Sequence, residues 1–441
     1  MSRPTPPRPA RRLTWAAALA GVALAVSACS GAAVNGGTSS SSGAAGGSGT
    51  IKIGALSTLD GTFAGLGEPS MQGVKLALLE YGGTLQGTGV RDGVTGATVG
   101  GKQIQLVIDS SDATADVAVA KAKKLVEQDG VDILVGPLSG DEGIAIKNYA
   151  KTKPGTTFVN GLSAAQNMTL RDPAPNVFRF GGDGAMWMAG LGKYAHDTLG
   201  YKTVATIAED YSYPYDQVGG FLSEFCAAGG KATKRVWFPL GTKDLSTFVT
   251  QIPKDVDAVL FAMGGTDAIN FVKQYDQFTG KKIPLLGGTT AVDGSVLQGL
   301  GSRADGIVSA GPTPVLDTPE YTKFADALAK AYPGATPNIV SLYYYTGTKA
   351  ALLALDKVKG DLGDGQKAFQ QALGQVQFAA PQGAVKLGDN RQAVITNYIT
   401  KVEGGKVVKV AEVGNVTNTL GFPTAEYVAK PAFDRDNPTC G

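Results

Sequence analysis

The sequence predicts an α/β protein of two lobes, each a parallel sheet covered by helices on both faces. Three observations predict it. Short apolar runs suited to buried strands alternate with segments of helical periodicity. The alternation runs once from Ile51 and restarts near Met186, and such strand–helix–strand order calls for parallel sheets. The 441 residues, less an apolar N-terminal leader, suffice for two domains at about 100–200 residues each.

In the first run, Ile51-Lys52-Ile53-Gly54-Ala55-Leu56 reads as a buried strand. A Gly-rich loop and a helix through Val74, Leu76, Ala77 and Leu79 follow. Residues 82–102 are Gly/Thr-rich without a clear period and read as a surface loop or hairpin. Residues 104–108 form a second strand. Residues 115–129 are helical, with Val119, Ala122, Leu125 and Val126 on one face and Gly130 as the stop. Strands at 131–135 and 156–159 flank a helix at 143–149. In the second run, 186–199, 217–227, 268–278 and 292–299 read as helices. Residues 203–208, 234–238, 258–262, 284–286 and 307–310 read as strands, and a late helix covers 341–358. Ligands of open parallel sheets bind beyond the carboxyl ends of the strands. The loops there are 57–67, 136–143, 160–167, 209–215, 264–267 and 287–293, and all six converge if the two sheets face each other.

The N-terminus carries a different message. Arg3, Arg8, Arg11 and Arg12 precede an apolar run over 13–26 that ends in Val26-Ser27-Ala28-Cys29. A basic head, a short apolar core and small residues before a cut site make a secretory signal over 1–28. The run is shorter than the ~20 apolar residues a membrane span needs. Its end resembles a bacterial lipobox, which implies a lipid on the Cys29 thiol; the alternative is an ordinary signal whose mature end carries a Cys. Residues 29–50, almost all Gly, Ser, Ala and Thr after the cysteine, form a flexible tether. The folded part is therefore expected outside the cytoplasm, anchored to the cell membrane through Cys29. There a disulfide is permitted, and Cys226 with Cys440 is the available pair, stapling the C-terminal tail to a helix; the alternative is two unpaired thiols.

With 40 Lys and Arg against 38 Asp and Glu, no nucleic-acid footprint is visible. His196 is the only histidine, which excludes a multi-His metal site and argues against a His-dependent triad. No Gly-x-x-x-x-Gly-Lys-Ser/Thr phosphate loop occurs, and Gly161-Leu162-Ser163-Ala164-Ala165 lacks the second Gly of a nucleophile elbow. Neither an enzyme nor a cofactor or metal is expected.

Several segments carry a family resemblance. They are Ile51-Lys52-Ile53-Gly54, Gly61-Thr62-Phe63-Ala64-Gly65-Leu66-Gly67, Gly73-Val74 and Val131-Asp132-Ile133-Leu134-Val135-Gly136-Pro137-Leu138-Ser139. Asn176-Val177-Phe178-Arg179, residues 210–215, Pro284-Leu285-Leu286-Gly287-Gly288, the late helix and 383–389 continue it. Over 51–409 the chain resembles the leucine/isoleucine/valine-type periplasmic solute-binding proteins. The resemblance implies a type I periplasmic-binding fold, two Rossmann-like lobes joined by three hinge crossovers near 179–182, 310–313 and 398–401. Lobe 1 would comprise 51–180 and 312–398, and lobe 2 181–311 and 399–441. It implies a monomer that closes on a small-molecule ligand and hands it to the permease subunits of an ABC importer. A sensor lipoprotein of the same fold, signalling to a membrane receptor, is the alternative.

The resemblance also assigns a site. The carboxylate-binding Ser of amino-acid-binding members falls on Gly140, with Ser139 before it, and their Thr falls on Ala164, with Leu162 and Ser163 before it. Leu66 stands where relatives place an aromatic lid, Tyr213 matches their lobe-2 Tyr, and Thr266 and Thr289 complete the set. The acidic residue that takes the ligand ammonium falls on Thr289 or Thr290, neither of which carries charge. A buried ammonium needs a paired charge, so the ligand is expected to be neutral or anionic unless Asp141 or Asp267 reaches in. Tyr343-Tyr344-Tyr345 is read as core packing, because a helix points three successive residues to different faces.

Overall fold

The strand candidates pair into two separate sheets in a computed structural model that describes residues 49–60, 64–280, 282–314, 316–388 and 390–438. The leader, Cys29, the tether before residue 49, the loop 61–63 and Cys440 lie outside the described residues. The first sheet takes β1 (Thr50–Ser57) and, beyond a hairpin of β2 (Thr84–Leu85) and β3 (Val94–Thr95), the strands β4 (Thr98–Val99), β5 (Lys102–Ser110), β6 (Ile133–Val135), β7 (Thr157–Val159) and β8 (Val177–Phe178). Their spatial order is β4-β5-β1-β6-β7-β8, parallel except at β4–β5. Between them lie α1 (Ala64–Leu79), α2 (Ala115–Lys123) and α3 (Gly140–Ala150). Ile53, Leu134, Val135 and Val159 are fully buried, as strands covered on both faces must be.

The second sheet begins β10-β9-β11-β12-β13, all parallel: β9 (Thr203–Glu209), β10 (Lys231–Phe238), β11 (Ala258–Ala262), β12 (Leu285–Gly287) and β13 (Val308–Gly311). Its helices are α4 (Leu191–Lys193), α5 (Ser212–Ala227), α6 (Ser246–Val249), α7 (Gly265–Thr279) and α8 (Gly294–Leu300). The chain then supplies α9 (Pro319–Ala331), α10 (Ile339–Lys357) and α11 (Lys367–Gly374) to the first sheet. Phe324, Leu328, Leu352 and Phe369 pack there in one core with Ile51, Ile53 and Val74. Gly73 lets α1 and α10 touch: a Cβ there would lie 2.3 Å from the Ser341 carbonyl oxygen. Last come β14 (Phe378–Ala380), β15 (Gly383–Leu387), β16 (Ala393–Glu403), β17 (Lys406–Val416) and α12 (Thr424–Ala429).

The chain passes between sheets three times, and the connections lie side by side. Arg179 bridges to Gln392, and Gly311 pairs with Tyr398. Three differences from the sequence reading have physical causes. Residues 398–401 are not an open connecting segment but part of the long strand β16, paired with Val308–Gly311. The sheets are not wholly parallel: β16 and β17 form an antiparallel hairpin whose Gly404-Gly405 turn has φ of +58° and +74°, the conformation a two-residue hairpin loop requires. The helix expected over 186–199 breaks at Gly190 (φ +88°) into a 3-10 turn, Met186–Met188, and a short helix that continues as a π turn.

Candidate functional site

The loops at the carboxyl ends of β6 and β7 in lobe 1 meet the loop at the carboxyl end of β9 in lobe 2, around Gly140, Ala165, Gln166, Ser212 and Asp216. Two helix N-termini face each other there. On the lobe-1 side α3 opens with Ser139 as N-cap. Its Oγ accepts from Glu142 N (3.4 Å) and donates to Ala113 O (3.0 Å), while Glu142 Oε2 accepts from Ser139 N (2.8 Å). This capping box occupies the Ser139 hydroxyl. On the lobe-2 side α5 opens at Ser212 with no capping side chain and no acid in its first turn. Pro214 offers no N–H, so Ser212 and Tyr213 carry the first-turn amides, which have no intrahelical carbonyl to bond. The two ends are close: a Cβ on Gly140 would lie 2.4 Å from Ser212 Oγ. That hydroxyl is shielded from solvent and has no partner.

Gly140, Ser163, Ala164 and Ser212 thus come together. Ser163 is fully buried, its Oγ 3.5 Å from Gly140 O and packed over Gly143. Ala164, also buried, accepts from Gly184 N at 2.8 Å, a contact across the first connection. Leu162 packs half-buried on the lobe-1 core.

Aromatic rings form the adjoining wall. Tyr213 packs edge-on against Trp187 (6.0 Å) and lies 6.2 Å from Tyr211, and Trp187 lies 5.8 Å from Tyr343. The stack runs from α5 in lobe 2 to α10 in lobe 1, with Trp187 buried beside the Tyr343 hydroxyl. All three tyrosines of 343–345 are buried in the core and point apart. Tyr343 Oη accepts from Gly182 N, Tyr344 Oη donates to Leu56 O, and Tyr345 Oη donates to Glu80. Tyr213 Oη lies 3.2 Å from Thr290 Oγ1. Thr289 is buried and engaged by Gln217, which accepts from its N–H at 2.8 Å and donates to its Oγ1 at 3.0 Å.

Two expected residues stand apart from this cluster. Thr266 is exposed in the first turn of α7, and Leu66 is 38 % exposed near the start of α1. Asp141 is exposed at the α3 end. Asp267 is buried and accepts from Gly241 N at 2.8 Å. His196 lies away from the cluster, between Asp197 and Lys202 and against the Phe225 ring.

Carboxylates overlooked in the sequence reading lie in the same loops. Glu209, at the end of β9, is 3 % exposed; burial, then the neighbouring Asp267 charge, lift its pKa to about 8. It keeps its proton at neutral pH and hydrogen-bonds Asp267 and Tyr211. Asp293, half-buried at the start of α8, is lifted to about 7 by loss of solvent, and its charge acts on Tyr213. Behind the site, Arg179 is fully buried. It donates to Ala165 O (2.7 Å) and Thr169 Oγ1 (2.6 Å), hydrogen-bonds Gln392, and pairs with Asp183 at 3.3 Å. Burial raises Asp183 to about 6, and Asp216, which accepts from Gln166 N, well above the carboxylate range. Among the described residues no group of three or more His, Cys, Asp or Glu could hold a metal, and no helix is long and apolar enough to cross a membrane.

Two lobes, three connections and loops of both lobes in contact at Gly140 and Ser212 define a two-lobe hinged fold. The family model for periplasmic binding proteins matches residues 50–406, and the chain belongs to that family. An ABC transporter substrate-binding protein from Sphaerobacter thermophilus is 28 % identical, with a TM-score of 0.73 over 83 % of this chain and 98 % of its own. A solute-binding protein from R. palustris in complex with benzoate is 25 % identical, with a TM-score of 0.74 over 83 % and 97 %. A leucine-binding protein from Thermotoga maritima shares the fold at 19 % identity, with a TM-score of 0.71 over 82 % and 99 %. No curated protein sequence matches the chain.

Proposed function

We propose that this protein is a lipid-anchored, extracytoplasmic solute-binding protein that closes on a small carboxylate, an aromatic acid before others, and delivers it to an ABC importer. The observation that carries the reading is the meeting of the α3 and α5 N-termini at Gly140 and Ser212. The α5 end, uncapped and with no acid in its first turn, favours an anionic group there, while the α3 end beside it is capped by Ser139 and carries Asp141 and Glu142 in its first turn. The ring wall of Tyr211, Tyr213 and Trp187 suits a flat apolar body beside it. The R. palustris relative binds benzoate, and the S. thermophilus relative belongs to an ABC transporter, which supports both halves of the proposal.

A second reading rests on Asp293. A carboxylate raised to about 7 by burial is a place where a ligand amine would gain a partner. Calorimetry on residues 50–441 separates the two. The first reading expects saturable binding of benzoate, weakened tenfold or more (about 1.4 kcal/mol) by Tyr213→Ala. Binding of leucine but not benzoate, abolished by Asp293→Asn, would establish the amine reading instead.

The lipid anchor rests on the leader and on Cys29, and Cys29→Ala should release the protein from membranes or leave its leader uncleaved. Unchanged fractionation and acyl labelling would contradict it. The Cys226–Cys440 pairing is supported by the path of the tail, which runs back over α5 with Phe433 packed on Gly219. Import, as opposed to sensing, predicts that deleting the gene abolishes uptake of the labelled ligand; normal uptake in the deletion strain would favour sensing.

A further inference from the structure

Residues 417–438 leave the second sheet, touch lobe 1 and return to lobe 2. The outward contact falls on the lobe-1 segment 166–171. Gln166 Nε2 donates to Asn418 O (2.8 Å) and to Tyr427 Oη (2.9 Å), with Gln166, Asn418 and Tyr427 all buried. The Arg171 guanidinium reaches the C-terminal end of α12, donating to Lys430 O (3.0 Å) and Tyr427 O (3.4 Å) and to Val428 O. A cation among the last carbonyls of a helix satisfies their unpaired oxygens and complements the helix dipole.

The return is equally specific. Phe433 packs on Gly219 of α5 so closely that a Cβ there would lie 2.3 Å from the ring. Trp237 Nε1 of β10 donates to Arg435 O (3.1 Å), and Arg435 pairs with Asp210 at 3.3 Å. Gln166 is gripped from lobe 2 on its backbone as well, since its N–H donates to Asp216 Oδ2 at 2.8 Å.

We propose that the C-terminal segment is a clasp, a fourth and non-covalent link between the lobes. It restrains hinge opening through Arg171 and Gln166 while staying fixed to α5 and β10. Full separation of the lobes must break the guanidinium–carbonyl cluster and the Gln166 bonds together. The ligand-free protein therefore samples a narrow range of opening near the closed arrangement.

The test is single-molecule energy transfer on ligand-free mature protein, with labels on exposed Lys123 of lobe 1 and Lys254 of lobe 2. Arg171→Ala is expected to broaden the interlobe distance distribution and move its mean to longer distances, and Arg171→Lys to recover part of the change. Should Arg171→Ala fail to fold, Gln166→Leu, which roughly keeps side-chain volume but removes both donated bonds, is expected to give the same broadening. A variant with parent-like circular dichroism and melting but an unchanged distribution would overturn the clasp.

Discussion

Arg179 shows how much a single residue holds at the hinge. It has no solvent exposure, yet its guanidinium meets carbonyls, Thr169, Gln392 and Asp183. Removing one partner of a buried pair strands the other, at about 3–5 kcal/mol. Arg179→Met should lose that order of stability in urea unfolding, and adding Asp183→Asn should restore part of it; strictly additive losses would contradict the coupling. Glu209 makes a pH prediction. It binds its proton more tightly folded (about 8) than unfolded (4.5), so folding takes up a proton between those values. Stability should fall as pH rises from about 4.5 to 8 and level off above. Glu224 and Asp293, each raised to about 7, act in the same direction. Glu209→Gln should therefore reduce the slope of midpoint against pH without abolishing it, and an unchanged slope would show that Glu209 does not titrate there.

At the scale of elements, the apposed ends of α3 and α5 are the feature on which the proposed binding rests. Gly140→Ala places a Cβ 2.4 Å from Ser212 Oγ, so the closed arrangement must shift while α3 itself gains a better helix former. The expected result is weaker ligand binding with little change in melting temperature, partly rescued by Ser212→Ala; equal binding by parent and Gly140→Ala would mean that the ends do not close on ligand. The elements themselves were largely legible. The β11 strand was read to the residue, in an apolar run bounded by Asp257 before it and by Met263-Gly264-Gly265 after it. The start of α5 was set five residues late, because Tyr211 to Tyr215 is rich in turn-forming residues and Pro, although Pro is accepted in a first helical turn. The hairpin of β16 and β17 was missed although Gly404-Gly405 between β-branched runs marks it. In the site, loop membership was legible but occupation was not. Ser139 and Thr289 are engaged within the protein, and Glu209 and Asp293 owe their importance to burial that spacing alone does not reveal.

For the whole molecule, two sheets joined by adjacent connections bring loops of both lobes into contact at Gly140 and Ser212, where the proposed ligand would be held. The central claim is that one small ligand is held by both lobes at once. Hydrogen exchange of residues 50–441, with and without saturating benzoate or whichever solute binds in calorimetry, tests this most directly. The account predicts added protection in two separate places, at 138–143 with 161–165 from lobe 1 and at 211–216 with 288–293 from lobe 2. Protection confined to one lobe, or centred away from these loops, would contradict it.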